Sequence, residues 1–172
     1  MNLRQIWQRP EGRFLVLFLS ILTVSFAVIA LKPVNDNVVD PYTGFVAEIS
    51  GAALRLIGED ITVNGFYLRS PRFSVTIYNG CNGLITSLIF ISGVLAFPAG
   101  WRAKLTGAAG GLVAIQIINL IRIVSLYYVG IYLPRFFNQS HIFIWQSVVI
   151  LAGVSMWIVW AHHAAAPLRG ES

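Results

Sequence analysis

The feature that most constrains this chain is a series of uncharged stretches longer than any soluble core requires. Residues 14–31, 73–101, 105–121 and 123–134 carry no acidic or basic side chain, and only histidines interrupt 136–168. A helix of about 20 apolar residues crosses a bilayer core, and it satisfies its own backbone where no water can. Composition agrees, with 56% hydrophobic and 11% charged residues, against about 25% charged in a soluble domain. The expected fold is an all-α integral membrane protein, a single domain over 1–172 with about four transmembrane helices near 14–31, 82–101, 105–133 and 142–161.

Arg4, Arg9 and Arg13 precede the first span. Val28-Ile29-Ala30 would serve as a leader cleavage site, but an apolar core of 18 residues suits a spanning anchor better. The basic N-terminus then lies in the cytoplasm. Alternating the spans puts Arg102, Lys104 and Arg169 on the same side, six basic residues in short segments. Five others lie outside over about twice the length, accompanied by five of the seven acids, so the positive-inside rule is met. The net charge of +5 forms no basic run, which removes the case for nucleic acid. Membrane lipid and membrane-held proteins are the expected partners, in a multi-pass protein of the cell membrane.

Residues 32–81 are the one large polar segment and would be extracytoplasmic. Asp40 is a good N-cap and Pro41 suits a first helical turn. Phe45, Ile49, Ala52, Ala53, Leu56 and Ile57 follow helical spacing up to Gly58, which predicts an amphipathic helix on the membrane surface or against the bundle. Ile61-Thr62-Val63 and Phe66-Tyr67-Leu68 flank Asn64-Gly65, a hairpin signal. Phe73, Val75 and Ile77 alternate with Ser74, Thr76 and Tyr78, which makes a further strand leading to a helix. A small β-hairpin or meander is thus expected before the second span. Trp101, Tyr127, Tyr128, Tyr132, Trp157 and Trp160 suit interface anchors.

That strand delivers Tyr78-Asn79-Gly80-Cys81-Asn82-Gly83, which holds the only cysteine. A single cysteine forms no disulfide within its own chain. At the start of a helix its thiol would feel the positive end of the helix dipole, which lowers its pKa and favours the nucleophilic thiolate. The competing role is a small buried hydrophobe. Arg122 is the charge inside the third span, where a charge is expensive and marks a candidate functional site; no other span offers it an acid. Asn119 and Gln116 extend a polar stripe one and two turns before it. His141 opens the fourth span, where the plainer role is an interfacial histidine. His162 and His163 lack the spacing of a metal pair, and neither a metal nor a cofactor is expected.

Depth unites these groups. The 29 residues of 105–133 extend about 43 Å, more than the apolar core is thick. Arg122 lies eleven residues from the outer end, roughly 10 Å below the hydrocarbon edge, within reach of a snorkelling guanidinium. Cys81 and His141 both fall at outer helix starts, so all three share one layer near the outer surface. Such a set suits attack of a thiol on an amide. A thiol redox or acyl-carrier role for Cys81 alone, and a non-enzymatic component of an export or surface-assembly system, are the other readings these residues allow.

Asn-Gly-Cys-Asn-Gly entering a membrane helix, Asn119-Leu120-Ile121-Arg122-Ile123 in the next and His141 opening another resemble the exosortase/archaeosortase family over about residues 60–160. The family motif, a cysteine with a glycine two residues later, an arginine and then a histidine, falls on Cys81, Gly83, Arg122 and His141. The chain is short and similar to the exosortase H type. The resemblance implies a membrane-embedded cysteine peptidase or transpeptidase with Cys81, Arg122 and His141 as catalytic residues. It further implies protein substrates bearing a C-terminal sorting signal, an apolar helix with a basic flank, processed at the outer face.

Overall fold

The computed structural model describes residues 9–169, with side chains up to residue 165; Arg4 lies outside the described residues, and Arg169 is described by its backbone alone. Helix α1 (Pro10–Ala30) begins with proline in its first turn, where no N–H is needed, and buries none of its residues. Its apolar circumference suits lipid; it packs chiefly along the helix Leu84–Ala96, and its Phe14 ring meets Trp157 at 5.5 Å.

Helix α2 starts earlier than Asp40. It forms one turn at Lys32–Val34, passes through π-helical turns at Asn35–Val39 and continues as an α-helix over Asp40–Leu56. Asp40 therefore lies inside a continuous helix and caps nothing. The end at Gly58 matches expectation: Gly58 N–H bonds to Arg55 C=O and Glu59 N–H to Leu54 C=O, the paired bonds of a Schellman cap, with φ +99 at Gly58. The apolar stripe read from the sequence faces outward, with Phe45 62% and Leu56 89% exposed. Thr43, Val46, Ala47, Ser50, Gly51 and Leu54 are the buried side, most of them small. In lipid, large apolar side chains can face outward without cost, and small residues let backbones approach.

Strands β1 (Thr62–Asn64), β2 (Tyr67–Arg69) and β3 (Val75–Thr76) form an antiparallel meander in the order β1-β2-β3. Asn64 pairs with Tyr67, so the hairpin loop is Gly65-Phe66, one residue later than the sequence suggested, with Gly65 at φ +59. Leu68 and Ile77 pack with Ala47 and Leu54 of α2 in a buried cluster.

Helix α3 (Leu84–Ala96) is only 13 residues, about 20 Å long, and does not alone match the bilayer core. Pro98 stops it by forcing Phe97 to the extended conformation (φ −69, ψ 137). Helix α4 (Trp101–Tyr132) is an unbroken α-helix of 32 residues; Ile123 and Tyr127 join the cluster under the sheet, and Ile115 packs with Phe90 and Val94 of α3. Helix α5 is continuous from Pro134: a 3-10 turn (Pro134–Phe136), an α turn (Phe137–Gln139), π turns (Ser140–Trp145) and an α-helix (Gln146–Arg169). Residues 134–140, between the expected third and fourth spans, are thus helical.

Pro10–Ala30, Trp101–Tyr132 and Pro134–Ala165 are long and apolar enough to cross a membrane. With the small sheet, this is broadly an all-α membrane protein; among the described residues three helices are long enough to span, and of the about four expected the one near 82–101 is a shorter apolar helix. Not all the aromatic anchors lie at an interface. Tyr127 is fully buried, and the rings of Trp157 and Trp160 fill the space left by Gly93 and Gly107.

Candidate functional site

Cys81 lies in the turn before α3, three residues ahead of its first helical residue. Cys81 N–H bonds to Tyr78 C=O at 2.8 Å, closing that turn. Gly83 precedes α3 at φ +79, a left-handed conformation that favours glycine. A Cβ there would stand 2.9 Å from Gln116 Nε2 and 3.3 Å from Asn119 Cγ on α4, so the backbone favours glycine and a larger residue would also displace the Gln116 amide.

Asn82 locks the turn from beneath. It is completely buried; its Oδ1 accepts the Leu84 N–H at 3.0 Å and its Nδ2 donates to Thr43 Oγ1 at 2.8 Å. The Thr43 hydroxyl proton has Val39 C=O at 2.8 Å and Asn79 Oδ1 at 3.0 Å within reach. Asn79 Nδ2 donates to Asn35 Oδ1 at 3.2 Å, which ties the turn to the π segment of α2. Tyr42 donates to Asn82 C=O at 3.3 Å. Thr43, Asn79 and Asn35 were not singled out from the sequence. A polar residue at the centre of an otherwise small, apolar helix face is the signal that Thr43 offers.

The half-buried thiol meets the other two groups directly. Cys81 Sγ stands 2.7 Å from His141 Nε2, which the π turns of α5 carry inward. Such turns recur at functional sites. Arg122, 3% exposed on α4, places Nη2 3.7 Å from Cys81 Sγ and 3.3 Å from His141 Nε2. The three residues drawn from three separate segments of the sequence therefore meet in one cluster. Arg122 has no acidic partner among the described residues, and its Nε is buried without a hydrogen bond. The Phe137 ring stacks on the imidazole at 6.4 Å and 7°.

The electrostatics differ from the expectation of a thiol poised by a helix dipole. Burial pushes the Cys81 thiol above its ordinary value, and the Arg122 charge pulls part of that rise back. Cys81 is off the end of α3 rather than in its first turn, so desolvation outweighs the dipole. With the thiol and a guanidinium N–H both facing Nε2, that nitrogen is the acceptor of a neutral imidazole and the ring proton sits on Nδ1. The main-chain N–H groups of Asn82 and Gly83 donate to no group among the described residues. The cluster can pass a proton from sulfur to imidazole and hold a developing negative charge beside a fixed cation.

A second polar group joins the segments that flank the sheet to α4. Glu59 accepts from Arg72 at 3.0 Å and from Tyr127 at 2.9 Å, and Arg72 donates to Tyr132 at 3.1 Å. It joins the loop after α2 to the end of α4 and holds the meander over the site. His162 and His163 lie side by side near the end of α5, away from the cluster.

A family model described as transmembrane exosortase matches residues 8–161. No curated protein and no solved structure matches the chain.

Proposed function

The chain belongs to the transmembrane exosortase family, and from that premise we propose that it is a cysteine peptidase or transpeptidase acting at the outer face of the cell membrane. Its substrates are exported proteins carrying a C-terminal apolar helix with a basic flank. The observation that carries this reading is the 2.7 Å contact between Cys81 Sγ and His141 Nε2 with Arg122 Nη2 beside both.

In the proposed reaction, the thiol proton moves to Nε2 as Sγ attacks the scissile carbonyl carbon. The carbonyl oxygen gains the negative charge, held by Arg122 and the free N–H groups of Asn82 and Gly83. Collapse of the tetrahedral intermediate breaks the C–N bond, and the Nε2 proton goes to the leaving amine. A thioester remains on Cys81. Water releases it as an acid; an amine or hydroxyl acceptor takes the acyl group instead.

Co-expression with candidate surface proteins tagged at the C-terminus tests this. Loss of the tag with the intact chain, and its retention with Cys81→Ala, is the expected result. Equal maturation with both chains would overturn the peptidase reading in favour of a non-enzymatic membrane component.

A further inference from the structure

Between α2 and α4 runs a groove of about 360 Å³, and two of its lining residues, Gln116 and Asn119, adjoin Gly83. The rim is apolar: Phe45, Ile49, Val113 and Ile117 are all exposed and would face lipid. The floor holds Asn119 and Gln116, the latter donating from Nε2 to Ser87 Oγ at 3.5 Å. Asn119 is 1% exposed, yet neither its Oδ1 nor its Nδ2 has a hydrogen-bond partner. Leaving both halves of a buried amide unpaired is costly, and a group left so in a folded protein calls for a partner that completes it. Asn119 sits three residues before Arg122, on the same face of α4. Its Cγ would be 3.3 Å from a Cβ at Gly83, so the unpaired amide borders the loop that carries the thiol.

We infer that this groove is the subsite for the extended main chain of the protein substrate beside its scissile bond, with Asn119 and Gln116 as its hydrogen-bonding pair. The inference rests on the peptidase reading above. A chain extended for cleavage has free N–H and C=O groups, which in hydrocarbon must be met by protein. A carboxamide presents one acceptor edge and one donor edge, the complement of a peptide unit, and carries no charge to favour an acidic or basic side chain. The apolar rim receives flanking side chains, and the opening toward lipid admits a substrate that arrives by its membrane anchor. Tyr42, which bonds the Asn82 carbonyl, closes the end nearest the thiol.

The test uses the full chain in lipid nanodiscs and a reporter fused to the tail of a protein whose maturation requires Cys81. Asn119→Leu keeps the shape and removes the hydrogen bonds. It should raise KM about tenfold, the loss of one well-placed bond, and leave kcat within about twofold. Gln116→Leu should act in the same direction, and serves if the first variant accumulates poorly. A photo-crosslinker at Val113 in the Cys81→Ala chain should capture the substrate residues just before its apolar helix. An unchanged KM means that Asn119 holds a buried water, and overturns the subsite. A fall in kcat alone makes Asn119 a positioning residue for Arg122, and also overturns it. If Cys81→Ala retains the reporter but position 113 crosslinks only lipid, the subsite fails while the peptidase reading stands. If no tailed protein is processed in a Cys81-dependent way, both fail together.

Discussion

Replacing Cys81 with alanine is expected to abolish maturation outright, since the chain has no second thiol to form the covalent intermediate. His141→Ala and Arg122→Ala leave that thiol in place and should each lower turnover by about 10²–10⁴, as loss of a proton shuttle or an oxyanion donor does. Arg122→Lys should restore little. Nη2 alone stands near both Sγ and Nε2, and a shorter ammonium head lacks the fixed fork that puts it there. The double variant at His141 and Arg122 should cost less than the sum of the singles, because their polar atoms lie 3.3 Å apart. Turnover normalised to membrane level checks all five variants. The thiol itself offers a pH test. Burial raises the Cys81 pKa, so the native state holds this proton more tightly than the unfolded chain does. The associated stability is full below the ordinary thiol value of about 8.5 and is lost as pH rises through the native value. Alkylation rate against pH should therefore show a midpoint above about 8.5. A lower midpoint would indicate a thiolate already formed at rest.

At the scale of elements, the sequence was most informative where a local rule acts alone. Gly58 ends α2 and Gly65 opens the hairpin loop because backbone conformation there depends on one or two residues. It misled where the solvent reverses a rule. The Phe45-to-Ile57 stripe faces outward because hydrocarbon accepts it, while Thr43 and Ser50 go inside. The π segments around Asn35–Val39 and Ser140–Trp145 carry no propensity signal, since tertiary contacts select them. Arg122 and Cys81 were legible because a charge in a span and a lone thiol each stand out. Asn79 and Thr43 were not, because their role is to hold one another. Gly83 links local and tertiary effects and yields a prediction. Gly83→Ala meets both the left-handed backbone and the close approach of Gln116, and should destabilise by about 1–3 kcal/mol. Thermal unfolding in detergent measures this, and processing should fall with it, because the same residue joins the thiol turn to α4.

At the scale of the whole molecule, the site sits where the sheet, α4 and the π turns of α5 converge, at one end of the long helices. Cysteine-accessibility mapping in a Cys81→Ala background locates that end: residue 64, in the meander, should label from outside and residues 102–104 from the cytoplasm. Labelling of residue 64 from the cytoplasm alone would reverse the orientation. The same geometry sets the kind of substrate that can reach the thiol. Arg122 is about ten residues, roughly 15 Å, from the end of α4, so the cluster lies below the end of a helix long enough to protrude from the apolar core. A peptide bond meets Sγ at that depth only if something holds it there. A substrate with its apolar helix pays the transfer of its chain into the membrane through that anchor, whereas a free peptide must bring unpaired backbone groups into hydrocarbon unaided. A soluble peptide carrying the cleavage segment without its anchor should therefore be processed at least about a hundredfold less efficiently than the anchored form in nanodiscs, with most of the difference in KM. Comparable kcat/KM for the two would place the working site in water, and the layer inferred from Cys81, Arg122 and His141 would have to lie outside the membrane.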